Sequence, residues 1–165
     1  MMPKIHSIYI ASQAGEPMTK RDAANLCAEV GIEGDRYALG IGAFSGSIPA
    51  KIRDVSLIAL SGIEAANKEL VAGGSKAYLL SEARRNIVIE GMSSEDLNQL
   101  VGREFFLGSI RLKATELCVP CERPASLSEK AHFNTAFKSR GGIRAQILDS
   151  GEIRVGDELN KNLLA

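Results

Sequence analysis

Apolar and polar residues alternate along several short stretches of the chain, a pattern typical of half-buried β-strands. The first is KIHSIYIA at 4–11, and the continuous apolar run VSLIAL at 55–60 suits a fully buried strand. Further strands are predicted at 84–91, 104–108, 110–118, 141–148 and 150–159. The segments 104–108 and 110–118 meet at Gly108–Ser109, and the segment 150–159 begins with Ser150–Gly151. These turn residues favour tight hairpins between neighbouring strands.

Three segments have the pattern of short helices, and residues 21–30 suit either a short helix or a strand. The first helix is predicted at 61–73, with Ser61 as its N-terminal cap and Gly73–Gly74 at its end. The other two helices are predicted at 93–102 and 127–139. Because strand follows strand more often than helix follows strand, the order predicts a mainly β barrel or sandwich rather than a doubly wound parallel sheet.

The chain has 165 residues, a length typical of one domain, so we expect residues 1–165 to form a single unit. Residues 31–47 contain five glycines and are predicted to form a long loop. Loops of this length inside a domain are usually functional or mobile.

The charge balance limits the classes of partner. Twenty basic and twenty acidic residues cancel, which argues against a nucleic-acid or membrane-surface partner but leaves room for a local anion site. Three cysteines, an odd number, do not suit a secreted disulfide framework. Since no stretch approaches eighteen apolar residues, we expect a soluble, cytoplasmic protein.

The sharpest local motif is the Cys-x-x-Cys of ELCVPCERP, residues 116–124. A structural zinc site needs two more ligands, and no second Cys-x-x-Cys or His-x₃₋₅-His exists, so we expect no structural zinc. A thioredoxin-like pair would open a helix inside a βαβ unit, a context that the mainly β pattern disfavours. Both thiols could equally be small buried hydrophobes. However, Arg123 and two nearby prolines make Cys121 the candidate for a presented, reactive thiol.

Basic residues next to glycines and strand starts form a second candidate feature. Arginine forks and exposed backbone N–H groups are the usual components of a phosphate site. Each residue taken alone is more commonly a surface arginine or a turn glycine, but together they point to an anion site. The candidates are Arg36, Arg84, Asn86, Arg140, Gly141 and Gly142.

Taken in order, these segments resemble the MOSC family, named after the molybdenum cofactor sulfurase C-terminal domain. The resemblance is carried by GIEGDRYALGIGAFS, RDVSLIALSGIEAAN, the long segment SEARRNIVIEG…ELCVPCERP, and GGIRAQILDSGEIRVGDEL. It is closest to the small stand-alone bacterial type. The resemblance implies a closed or nearly closed β-barrel similar to that of pyruvate kinase, with a few short peripheral helices.

The resemblance also implies a role for particular residues. The family's cysteine follows a proline, which places it at Cys121, as a sulfur carrier or a molybdenum ligand. The family's Arg-x-Asn falls on Arg84 and Asn86, which would contact the pterin phosphate of the molybdenum cofactor (molybdopterin). The implied partners are molybdopterin or a sulfur donor protein, and pyridoxal phosphate binding is a family-level association only.

Two alternatives from other classes stay open at this point. The first is a thiol–disulfide redox module that uses Cys118 and Cys121. The second is a non-catalytic binding module in which the thiols are incidental. The sequence leaves open whether the protein is an oxidoreductase or a sulfur-transfer accessory, and it leaves open the oligomeric state.

Overall fold

A computed structural model describes residues 2–48 and 51–161, so the predicted domain 1–165 extends beyond the described residues at both ends. The described residues form eleven strands and four short α-helices. The strands are β1 Lys4–Ile10, β2 Thr19–Arg21, β3 Ala23–Cys27, β4 Gly31–Ile32, β5 Val55–Ala59, β6 Ile87–Glu90, β7 Glu104–Leu107, β8 Ile110–Leu117, β9 Ile143–Ile147, β10 Gly151–Arg154 and β11 Leu159–Asn160. The helices are α1 Leu60–Ala72, α2 Ser94–Asn98, α3 Arg123–Ser128 and α4 Phe133–Ala136, with a 3-10 turn at Leu80–Ala83.

The main sheet has eight strands in the order β11-β7-β8-β9-β5-β6-β1-β2, and it curls into a nearly closed barrel. Its pairs are antiparallel except for β5 with β6. Lys4 at the start of β1 bridges to Glu158 just before β11, which brings the two ends of the curl together. The predicted mainly β, nearly closed barrel with few helices is therefore confirmed.

Side-chain alternation divides the core into two layers. Leu57 and Ile87 point into the larger cluster, which strands of both the eight-stranded sheet and the smaller β10-β3-β4 sheet share. Ile58 and Val88 point to the other face, where they pack with Ile63 of α1 and with the rings of Phe133 in α4 and Phe137 directly after it. The period of two read from the sequence thus sets which side of the barrel wall each residue occupies.

Two helix predictions differ from the structure. Ser61 was predicted to cap the first helix, but α1 begins at Leu60 with no side-chain cap, and the Ser61 hydroxyl donates to the Met92 carbonyl at 3.0 Å. The predicted helix at 127–139 is instead two short helices, α3 and α4. Glu129 adopts a left-handed conformation with φ 58°, which ends α3 and redirects the chain.

Candidate functional site

An open pocket lies where β8 ends, beside the loop that follows β4. The chain after β8 supplies Cys118, Val119 and Cys121, while the loop supplies Tyr37, Ala43 and Phe44. The predicted glycine-rich loop therefore forms part of the pocket wall. The arginines that line the pocket are Arg36, Arg53, Arg84, Arg85, Arg123 and Arg144.

Positive charge is concentrated in this pocket. Among the described lining residues, six are arginines and none is Asp or Glu. Arg36 is paired with Asp35 at 3.0 Å and Arg144 with Glu116 at 2.7 Å. Two of the six charges are therefore balanced by carboxylates that do not themselves line the pocket. The other four have no carboxylate partner among the residues that the structure describes. A pocket with this excess of guanidinium groups suits an anionic ligand.

Arg84 is the most distinctive of these arginines. It follows the 3-10 turn in a left-handed conformation with φ 60°, a backbone geometry that non-glycine residues rarely adopt. Its Nη1 donates to the Glu16 carbonyl at 2.7 Å, whereas its Nη2 is buried with no hydrogen-bond partner among the described residues. Burial, reinforced by the charges of Arg36 and Arg123, lowers the pKa of Arg84 to about 10. The side chain remains charged at neutral pH with one donor unused.

Asp35 fixes the neighbouring wall of the pocket. This carboxylate is fully buried, and its Oδ1 accepts hydrogen bonds from the backbone N–H of Ala11 at 3.1 Å and from Arg36 Nη1. Its Oδ2 accepts from the backbone N–H of Tyr37 at 3.2 Å. A buried charge satisfied in this way holds the Arg36 guanidinium in one place.

Asn86 lines the pocket but uses its polar atoms within the protein. Its Oδ1 accepts from the backbone N–H and hydroxyl of Ser56 on β5, and its Nδ2 donates to the Tyr9 carbonyl at 3.1 Å. A longer contact of 3.5 Å joins Nδ2 to Asp35 Oδ1. Asn86 thus links β1 and β5 to the start of β6, and these hydrogen bonds fix its side chain within the protein.

The two cysteines of the Cys-x-x-Cys motif differ in setting. The backbone N–H of Cys118 still donates to the Gly142 carbonyl at 2.8 Å, and its side chain is only 3 % exposed. After Pro120 the chain has left the strand, and Cys121 lies exposed in the loop before α3. Both thiols are free and both line the pocket.

Arg53 and Arg144 line the pocket although sequence reasoning did not select them. The Arg53 guanidinium carbon lies 5.8 Å from the centre of the Tyr37 ring and 5.1 Å from that of Phe44. Arg144 lies opposite Ser56 across the β5–β9 pair, on the face away from Ile143. For Arg144 the available signal was alternation, because Arg144 and Gln146 are the polar positions that alternate with Ile143, Ala145 and Ile147 in β9.

Arg140, Gly141 and Gly142 are not among the residues that line the pocket. Arg140 lies elsewhere and donates to Glu69 Oε1 at 2.9 Å and to the Ala136 carbonyl. A Cβ on Gly141 would lie 2.2 Å from the Cys118 carbonyl, and one on Gly142 would lie 2.0 Å from the Leu57 carbonyl. These glycines therefore allow strands to approach closely, and Gly141 also accepts a hydrogen bond from Arg85 Nε at 2.7 Å.

Neither a clustered metal site nor a membrane-spanning helix is present among the described residues. Within 2–48 and 51–161, no group of three or more His, Cys, Asp or Glu residues is arranged to hold a metal ion. No helix in those ranges has the length and apolar character needed to span a membrane.

Comparison with known proteins agrees with this architecture. The YuaD protein from Bacillus subtilis is 19% identical, with 96% of this chain and 94% of that chain covered and a TM-score of 0.77. YiiM from Geobacillus stearothermophilus is 12% identical over 96% and 74% of the two chains, with a TM-score of 0.69. YiiM from Escherichia coli is 14% identical over 100% and 71%, with a TM-score of 0.70. At these identities the likeness establishes the fold.

Sequence comparison identifies the family. No curated protein matches the chain. The sequence model of the MOSC domain, however, matches residues 50–160, which is two thirds of the chain and includes β5 to β11. The chain therefore belongs to the MOSC family.

Proposed function

We propose that this pocket binds the molybdenum cofactor and that Cys121 ligates its molybdenum or carries sulfur. The observation that carries the proposal is the buried, unpartnered Nη2 of Arg84 in a pocket that also presents the exposed Cys121 thiol. The family is associated with molybdenum cofactor sulfurase-like function, which gives this combination of arginines and a thiol a specific interpretation.

The chemistry of the pocket fits the two ends of such a cofactor. A phosphate offers several acceptor oxygens, which suit the unused N–H of Arg84 and the nearby charges of Arg36 and Arg123. A thiolate is a soft ligand that suits molybdenum or a transferable sulfur atom. When bound, the cofactor supplies molybdenum redox chemistry. In this proposal Arg84 binds the phosphate, Asn86 and Asp35 position the wall, and Cys121 presents the thiolate.

Molybdenum analysis of the full chain, purified from a host that makes the cofactor, tests this proposal. We expect molybdenum in the wild type, with a mass increase on native mass spectrometry that matches the cofactor. A persulfide on Cys121, seen as one added sulfur on intact mass, is the expected result if the protein only carries sulfur. Cys121→Ser should abolish either form of loading.

Two further cysteine variants serve as matched controls. Cys118→Ser should leave most of the loading intact, because that thiol is buried. Cys27 lies on β3 outside the pocket lining, so Cys27→Ser should load as the wild type does. A wild type free of molybdenum and of added sulfur, or a Cys121→Ser variant that loads normally, would show that the proposal is wrong.

A thiol–disulfide redox module is the second candidate, because both cysteines of the motif line the same pocket. In that reaction an external disulfide such as oxidised glutathione is reduced to two thiols, while Cys118 and Cys121 lose two hydrogens and form one S–S bond. Intact mass after oxidation separates the candidates, since the disulfide subtracts two hydrogens and a persulfide adds one sulfur. Equal loss of activity in the two single variants would favour this module.

The lining of the pocket also bears on pyridoxal phosphate, which is associated with the family. Pyridoxal phosphate forms a Schiff base with lysine, and the described lining residues include no lysine, so they do not fit that group as a covalent cofactor. Molybdopterin or a sulfur donor protein are the partners we propose. Three free cysteines suit a compartment that keeps thiols reduced, such as the cytoplasm.

A further inference from the structure

We infer that the pocket contains a second anion subsite, centred on Arg53, that takes a phosphate or carboxylate group of the substrate. The inference rests on the proposed function for the occupant of the first subsite, at Arg84. It goes beyond that function because it assigns a chemical class to the molecule that reaches the cofactor: a small organic anion.

The Arg53 end of the pocket has the parts of an anion subsite. Arg53 Nε is buried and has no hydrogen-bond partner among the described residues. Its guanidinium lies against the rings of Tyr37 and Phe44, which orient it without using its N–H groups. The neighbouring Arg144 forms an ion pair with Glu116, whereas Glu116 acts on Arg53 only through space and makes no ion pair with it among the described residues.

The Arg53 and Arg84 ends of the pocket differ in their charged neighbours. Arg84 shares its surroundings with Arg36 and Arg123, whereas Arg53 shares its surroundings with Arg144 and Cys118. Burial first, then the charge of Arg144, lowers the pKa of Arg53 from its usual value. Each end thus holds a guanidinium group that burial disfavours and a nitrogen without a hydrogen-bond partner among the described residues. In our inference one phosphate satisfies the Arg84 donor and a second anion satisfies the Arg53 donor.

Tyr37 connects the two ends. The Arg36 guanidinium carbon lies 4.8 Å from the centre of its ring and that of Arg53 lies 5.8 Å from it. The ring position depends on the glycine-rich loop, because a Cβ on Gly42 would lie 2.4 Å from the Tyr37 ring. The apolar ring of Phe44 lies at the Arg53 end, and the lining of the pocket also includes Val119. An anionic group attached to an apolar body matches this combination.

Phosphate titration of the cofactor-free full chain tests the inference. The protein is produced in a host that cannot make the cofactor and titrated with inorganic phosphate by calorimetry at constant ionic strength. We expect two phosphates per wild-type chain. Arg53→Gln and Arg84→Gln should each lose one, by weakening that site roughly ten- to a hundredfold. Arg53→Lys, which keeps the charge but lacks the fork, should also weaken the Arg53 site.

A control and a second state of the protein complete the experiment. Arg154 is exposed and pairs with Glu152, so Arg154→Gln should bind two phosphates like the wild type. Cofactor-loaded wild type should bind one phosphate, and the loaded Arg53→Gln variant none. One phosphate per cofactor-free wild-type chain, or unchanged binding in Arg53→Gln with thermal unfolding like that of the wild type, would overturn the inference. Two phosphates without molybdenum loading in any host would instead overturn the proposed function and leave the second subsite standing.

Discussion

Side-chain exposure distinguishes the two cysteines that stand three residues apart at the pocket. Cys118 is 3 % exposed and held by a backbone hydrogen bond to Gly142, while Cys121 lies exposed in the loop. Iodoacetamide at neutral pH should therefore modify Cys121 first, by roughly tenfold in rate, because access limits thiol reactions. Intact mass and peptide mapping over time measure the two rates. Comparable labelling of both thiols would contradict this prediction.

Asp35 illustrates what the sequence does not reveal about single residues. In the sequence it is one acid in a glycine-rich loop, whereas in the structure it is fully buried and contacts Ala11 and Asn86, 24 and 51 positions away. Such pairings depend on strands that meet only after folding. Arg36, Arg84 and Cys121, which residue type and resemblance single out, line one pocket. Arg53 was missed because the motif reasoning attached no role to a charged residue ahead of an apolar strand.

Secondary-structure elements were predictable where a strong period of apolar residues determines them. The segments at 4–11, 55–60 and 110–118 became β1, β5 and β8 with ends shifted by one residue. The prediction of a single helix at 127–139 was wrong because tertiary packing overrides the helical pattern of this segment. Phe133 and Phe137 stack with ring centres 4.3 Å apart beside Tyr78, and the break at Glu129 lets α4 start in that direction.

Gly142 gives a sharp prediction at the level of elements. It has φ +86°, and a Cβ there would lie 2.0 Å from the Leu57 carbonyl of the neighbouring strand. Gly142→Ala should lower the free energy of unfolding by about 3 kcal/mol, from backbone strain plus the forced separation of β5 and β9. Urea denaturation followed by circular dichroism measures the change.

Gly74 is the matched control for this substitution. It has a similar φ of +82°, but nothing lies within 4 Å of a Cβ built on it. Gly74→Ala should therefore cost about 1 kcal/mol, from backbone strain alone. Equal effects of the two substitutions would show that the close approach of Gly142 to β5 contributes nothing to stability.

At the scale of the whole molecule, the overall composition does not reveal that positive charge is concentrated in one pocket. The chain has no net charge, yet six of its twenty basic residues line one pocket with no acid in the described lining. The barrel class was predictable from short strands joined by turns. Its near closure was implied by the family resemblance, but the particular bridge between Lys4 and Glu158 could not be read from the sequence, because it joins residues at opposite ends of the chain.

Because the pocket holds buried positive charge, a bound anion should stabilise the folded protein. Burial lowers the pKa of Arg84 to about 10, so the folded protein holds this proton less readily than the unfolded chain. Below pH 10 the charged group therefore opposes folding, and the penalty fades as pH rises through that pKa towards the unfolded value. An anion that binds the folded state alone offsets this penalty.

Thermal unfolding in phosphate and in chloride at equal ionic strength tests this idea. Phosphate should raise the Tm of the wild type by several degrees, since binding at a hundred times the Kd stabilises by about 2.7 kcal/mol. Arg84→Gln should reduce the rise. Without phosphate its Tm should stay close to that of the wild type, because relief from burying the charge offsets the lost hydrogen bond to Glu16. Arg154→Gln should respond to phosphate as the wild type does. An equal phosphate response in Arg84→Gln would show that the anion stabilises the protein at another place.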